Sequence, residues 1–203
     1  ECNGTAENAI LRVQAKFRTL RSALEEKLKS KIDTRKPFTT WLLRWSGEVL
    51  TKYTPGADGK SPWERRRGQR CGKPLAQIGE KVLYLPLKTA SVHDAKAQAR
   101  MQEGIWLGVN ARTEEVFIGT RRGVIKCRTV KRLIEAERWD AALVHEMQGT
   151  TWQPVPGVQS DHVPVEIDEQ GRPSTRAAED DDEVIDYRPV PLEEDIDRNQ
   201  DRT

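Results

Sequence analysis

Ile105-Trp106-Leu107-Gly108-Val109, Val116-Phe117-Ile118-Gly119 and Val124-Ile125-Lys126-Cys127-Arg128-Thr129-Val130 are three short runs rich in β-branched and aromatic residues. Asn, Gly and charged residues separate them, which is the punctuation of antiparallel strands joined by tight turns. A fourth run of the same kind lies at 81–85. Together they predict a small antiparallel β-barrel. In the last run Ile125, Cys127 and Thr129 alternate with Lys126, Arg128 and Val130, so one face is expected to pack inward while the other carries positive charge. The same alternation sets Trp106 apart from Ile105 and Leu107. It is expected on the barrel exterior, where it either stacks on a base or covers a neighbouring helical unit.

Upstream the period changes from two to three and four. Ile10, Val13, Phe17, Leu20, Leu24 and Leu28 form one stripe, predicting an amphipathic helix over residues 8–28 with most of its Lys and Arg outside the stripe. After Pro37, which suits a first helical position, Phe38, Trp41, Leu42, Trp45, Val49 and Tyr53 repeat with that period and predict a second helix. Trp41 and Trp45, one turn apart, are read as core. Ser61-Pro62 supplies an N-cap and a first-turn proline for a short third helix that Gly68 ends, with Arg65, Arg66, Arg67 and Arg70 exposed. Residues 89–102 are read as an insertion loop or a short helix. The fold class is therefore α+β, with three parts: helices over 1–73, the barrel over 74–135, and an acidic segment over 136–203. Scattered prolines and the acidic runs 179–183 and 193–197 give this last part a composition expected to be mostly disordered.

Charge divides the chain more sharply than its net +2 suggests. Residues 1–135 hold 28 Lys and Arg against 14 Asp and Glu, whereas residues 136–203 hold 6 against 18. A polycationic body points to a nucleic acid, because Lys and Arg displace condensed counterions from phosphates. The acidic segment reads as an inert linker, as an intramolecular mimic of DNA, or as a docking segment. Cys2, Cys71 and Cys127 are far apart and form no C-x-x-C pair, so neither a disulfide framework nor a zinc site is expected. His93, His145 and His162 are isolated and read as surface or loop residues. No apolar run approaches a membrane span, and no membrane partner is expected.

Asn3-Gly4-Thr5-Ala6-Glu7-Asn8 resembles the N-G-x-A-E signature at which Ty1/copia-type retrotransposon integrases place the third acid of their D,D,E active site. Two further landmarks follow in the family's order. Ser61-Pro62-Trp63-Glu64-Arg65-Arg66-Arg67-Gly68-Gln69-Arg70 resembles its T-P-Y-E-x-x-x-G-K-x-P phrase, and Gly104-Ile105-Trp106-Leu107-Gly108-Val109 resembles the G-x-F-L-G-Y phrase of its SH3-like module. Leu11 stands where the family often has a basic residue.

The resemblance covers roughly residues 1–135. It implies the last helices of an RNase H-like catalytic core followed by an SH3-like barrel, within a Pol polyprotein that acts in DNA integration in the cytoplasm and nucleus. It makes Glu7 a catalytic residue and a ligand of Mg²⁺, of which such sites hold two between carboxylates. It also implies DNA as partner, with Gln14, Arg18 and Arg21 on the flank of Glu7 and with Arg65, Arg66, Arg67, Lys126 and Arg128 as further DNA contacts. The rest of the polyprotein and other integrase copies are the remaining implied partners. The triad's two aspartates would lie upstream, so this stretch is expected to bind DNA without catalysis on its own. Two rival classes stay open: a non-enzymatic nucleic-acid-binding module from a decayed or co-opted element, and a protein-interaction scaffold.

Overall fold

The structure is a computed structural model, and it describes residues 3–86, 101–168 and 170–173. It is α+β. Two long helices, α1 (Asn3–Leu28) and α2 (Phe38–Tyr53), are joined by residues 29–37 and pack against each other as a helical hairpin. The short α3 (Pro62–Arg67) packs on α2. Five strands follow: β1 (Lys81–Tyr84), β2 (Gln102–Val109), β3 (Val116–Gly119), β4 (Val124–Cys127) and β5 (Val130–Arg132). After a 3-10 turn over Glu135–Glu137 comes α4 (Ala141–Glu146).

Local chemistry explains the helix ends. Ser61 accepts a hydrogen bond from the Glu64 amide, Pro62 occupies the first turn, and Gly68 ends α3 in the left-handed region at φ 75°. Asp140 caps α4 in the same way by accepting from the Leu143 amide. At the end of α1, Glu25 accepts from the Ile32 amide while Arg21 donates to the Ile32 carbonyl at 2.8 Å, which pins the exit of the chain. The helix begins five residues before the expected start at residue 8 and seven before the apolar stripe. Glu7 therefore stands in its second turn, beyond the first-turn amides that the helix dipole would offer it.

All strand pairings are antiparallel, in the order β4-β3-β2-β1-β5, and the sheet is open. The expected barrel does not close. The run 124–130, read as one strand, is two: the chain breaks at the exposed Arg128 and Thr129, and β5 crosses to pair with β1 at the opposite edge. The free edge of β4 is covered by the chain that follows α4. The Pro154 carbonyl accepts from the Val124 amide at 2.8 Å and the Pro164 carbonyl from the Lys126 amide at 2.9 Å. Proline has no N–H to offer a further strand, so a proline-bearing strap satisfies this edge and also terminates it.

Over residues 136–168 that strap corrects the reading of the segment as mostly disordered. Val144, Met147, Val155, Val163 and Ile167 are buried with the helices and the sheet in one apolar cluster. The same cluster holds Leu24 and Leu28 of α1, Phe38, Trp41, Leu42 and Trp45 of α2, and the strand residues from Val82 to Cys127, so the core runs unbroken across positions 73 and 135. Residues 174–203, with both acidic runs, lie outside the described residues, as does most of the 89–102 segment.

Trp106 is also corrected. It is fully buried, as are Ile105 and Leu107, and it meets Trp45 edge-to-face at 5.0 Å between ring centroids. Alternation fails in β2 and β3 because both sheet faces are covered, and a bulge between Trp106 and Gly108 shifts the register. Of the two readings for this residue, base stacking is excluded by burial, and contact with the helical unit is what the fold shows.

Candidate nucleic-acid interface

Cations are the raw material of any polyanion site, and the fold sorts them into those held by the protein and those left open. Arg21 is held. Its Nε pairs with Glu25 at 2.9 Å, and the clamp on Ile32 takes a second donor. Glu25 answers with its carboxyl lowered to about 2, chiefly through the Ile32 amide and then through Lys31 and Arg21. Arg65 is held as well: Nε and Nη2 grip Asp58 at 2.9 and 2.6 Å in a two-pronged pair that raises the arginine pKa and lowers that of the carboxyl. Lys126, expected on a free positive face, is half-buried and pairs with Glu115 at 3.3 Å. Arg70 sits 3.5 Å from Glu64.

A second set is exposed with no ion pair among the described residues: Arg12 and Arg18 on α1, Arg66 on α3, and Arg128 between β4 and β5. Gln14 is exposed beside Arg18. Arg67 is exposed with its guanidinium 5.0 Å from the Trp63 ring centre, within cation–π range. Gln14 and Arg18 lie on α1, and Arg66 and Arg67 on α3; both helices pack on α2. Lys126 lies on β4, and Arg128 between β4 and β5.

Glu7 is exposed on α1, and the turns around it touch nothing of the core. Ile10 is 57% exposed and Leu11 59%, whereas burial of α1 begins only with the partly covered Val13, Phe17 and Leu20. Among the described residues no group of three or more His, Cys, Asp and Glu is arranged to hold a metal ion.

Elsewhere the ionisable groups serve the fold. Glu80, fully buried, accepts from Arg132 Nε at 2.6 Å and Nη2 at 2.9 Å, stands 3.6 Å from Arg138, and takes the Gln77 amide at 3.0 Å. This network ties the entry of β1 to β5 and to the turn beyond it. Burial pushes the Cys127 thiol up to about 12, and Cys71 lies half-buried 3.8 Å from the Tyr53 hydroxyl. His145, read as a surface or loop residue, is half-buried on α4 and bonded to Ser30 Oγ at 3.1 Å, tying α4 to the loop after α1; His93 lies outside the described residues. No described helix is long and apolar enough to cross a membrane.

Comparison with known proteins yields nothing that names this arrangement: no protein family matches the chain, and neither a curated protein nor a solved structure does.

Sequence reasoning missed the two clamps on Arg21 and Arg65. The i,i+4 spacing of Arg21 and Glu25 signals the first. Nothing in the linear order signals the second, which depends on the turn over residues 56–60 bringing Asp58 under α3.

Proposed function

We propose that this chain is the C-terminal portion of a Ty1/copia-type retrotransposon integrase, binding DNA through the open cations of α1 and α3 and contributing Glu7 to an active site whose other carboxylates lie upstream. In this reading α1, α2 and α3 are the last helices of an RNase H-like core and the five-stranded sheet is the SH3-like module. The observation that carries it is the start of α1, where Glu7, Ile10 and Leu11 are presented outward in consecutive turns. A carboxylate beside two bare aliphatic side chains is what a helix looks like when its apolar shoulder packs on another layer and its acid faces a metal site. The order of the three landmarks adds to it: the first opens α1, the second forms α3, and the third lies on β2.

A non-enzymatic nucleic-acid-binding module is the second reading, and it too has an observation behind it. One apolar core joins helices, sheet and strap, so most of the described chain is packed against itself. The reading frame upstream of Glu1 separates the two. Two aspartates in strand-like settings ahead of Glu7 support the integrase reading. An initiating methionine close to Glu1, or an unrelated upstream domain, overturns it in favour of the binding module. In either reading the chain by itself is expected to leave DNA uncut.

A further inference from the structure

Trp152 is an indole held out into solvent on a rigid support. It is 65% exposed, yet its turn is tied at four points: Thr150 N–H to the Gln153 carbonyl at 2.9 Å, Gln153 N–H to Thr150 Oγ1 at 3.1 Å, Thr151 N–H to Thr40 Oγ1 at 3.2 Å, and Trp41 Nε1–H to the Gly149 carbonyl at 2.9 Å. Such anchoring removes most of the ordering cost that a binding partner would otherwise meet. Beside the ring lies an open groove of about 460 Å³ lined by Trp152, Gln153, Gln159, Ser160 and Asp161. Its chemistry is one aromatic face, two amides, a hydroxyl and a single charge, the Asp161 carboxylate. A carboxylate repels phosphate, so this groove does not suit the polyanion that α1 and α3 suit. A flat indole beside amides and one acid suits a proline-containing peptide that carries a cation, since pyrrolidine rings stack on aromatic faces with little entropy to lose.

The chain carries such a peptide. Within the acidic residues 174–203 lies Tyr187-Arg188-Pro189-Val190-Pro191-Leu192, in which one arginine directly precedes a proline pair. We propose that residues 187–192 dock in the Trp152 groove, with Pro189 and Pro191 against the indole and Arg188 paired with Asp161. The fifteen-residue step from Pro173 to Arg188 can extend to about 50 Å at most, enough to come back onto the strap that Pro173 ends. Tethering keeps the peptide at a high effective concentration, so a weak individual contact suffices. This inference is independent of the DNA-binding reading.

The test uses the full ¹⁵N-labelled chain and follows the Trp152 indole N–H, assigned by its loss in Trp152→Phe. The variant Arg188→Glu/Pro189→Ala/Pro191→Ala is expected to shift that resonance. Titrating the synthetic peptide Tyr-Arg-Pro-Val-Pro-Leu into the variant is expected to return it toward its native position, while the native chain, its seat already filled, responds little. An indole resonance identical in the native and variant chains overturns the proposal. So does a variant whose resonance the peptide does not move.

Discussion

Arg21 and Arg65 belong to surfaces that composition would hand to a polyanion, yet both are spoken for by a carboxylate within the fold. The Arg21 clamp is the more consequential because Glu25 joins it to the Ile32 amide and to Lys31. Those contacts hold the Glu25 carboxyl at about 2 against an ordinary value of 4.5. A carboxyl with a depressed folded-state pKa adds stability that is complete above the unfolded value and is lost as pH falls through the folded one. Native chain and Glu25→Gln are therefore expected to differ most in urea midpoint at pH 6, with the difference shrinking between about pH 4.5 and 2. A gap between the two that is constant across this range would show that the clamp does not act through the carboxylate.

Among the elements, the strap after α4 covers the β4 edge of the open sheet. It supplies the Pro154 and Pro164 carbonyls to the amides of β4, and the Gly149 carbonyl to Trp41. Gly149 sits at φ 87°, and a Cβ there would lie 2.0 Å from the Pro154 carbonyl oxygen, which is backbone and cannot swing away. Gly157 has a similar φ of 80° with open space around it. Gly149→Ala is thus expected to cost more than about 2 kcal/mol, against about 1 kcal/mol for Gly157→Ala, where only the left-handed backbone is strained. Comparable urea midpoints for the two variants would mean that the strap is loosely seated.

These elements also show where the sequence speaks and where it is silent. Ser61, Pro62 and Gly68 fix α3 through contacts within a few residues, and the stripes of α1 and α2 follow from period alone, so all three are legible. The split of the run 124–130, the burial of Trp106 against Trp45, and the seating of prolines 154 and 164 against β4 arise from contacts tens of residues apart. No local pattern encodes them. The candidate site divides the same way: exposure of Arg18, Arg66 and Arg67 can be read from helical position, whereas the pairing of Lys126 with Glu115 comes from neighbouring strands.

For the molecule as a whole, a cation-rich helical layer is bound through one core to an open sheet and a covering strap. The layer leaves Arg12, Arg18, Arg66 and Arg67 facing out, the set proposed to bind DNA through its phosphates. The most direct measurement is the affinity of the full chain for duplex DNA across salt concentration, beside the variant Arg18→Ala/Arg66→Ala/Arg67→Ala. About four phosphate contacts predict a roughly 100-fold loss of affinity between 50 and 200 mM salt, with the slope of log affinity against log salt reduced by about 1 for each arginine removed. An affinity indifferent to salt, or a slope unchanged in the triple variant, would contradict the account.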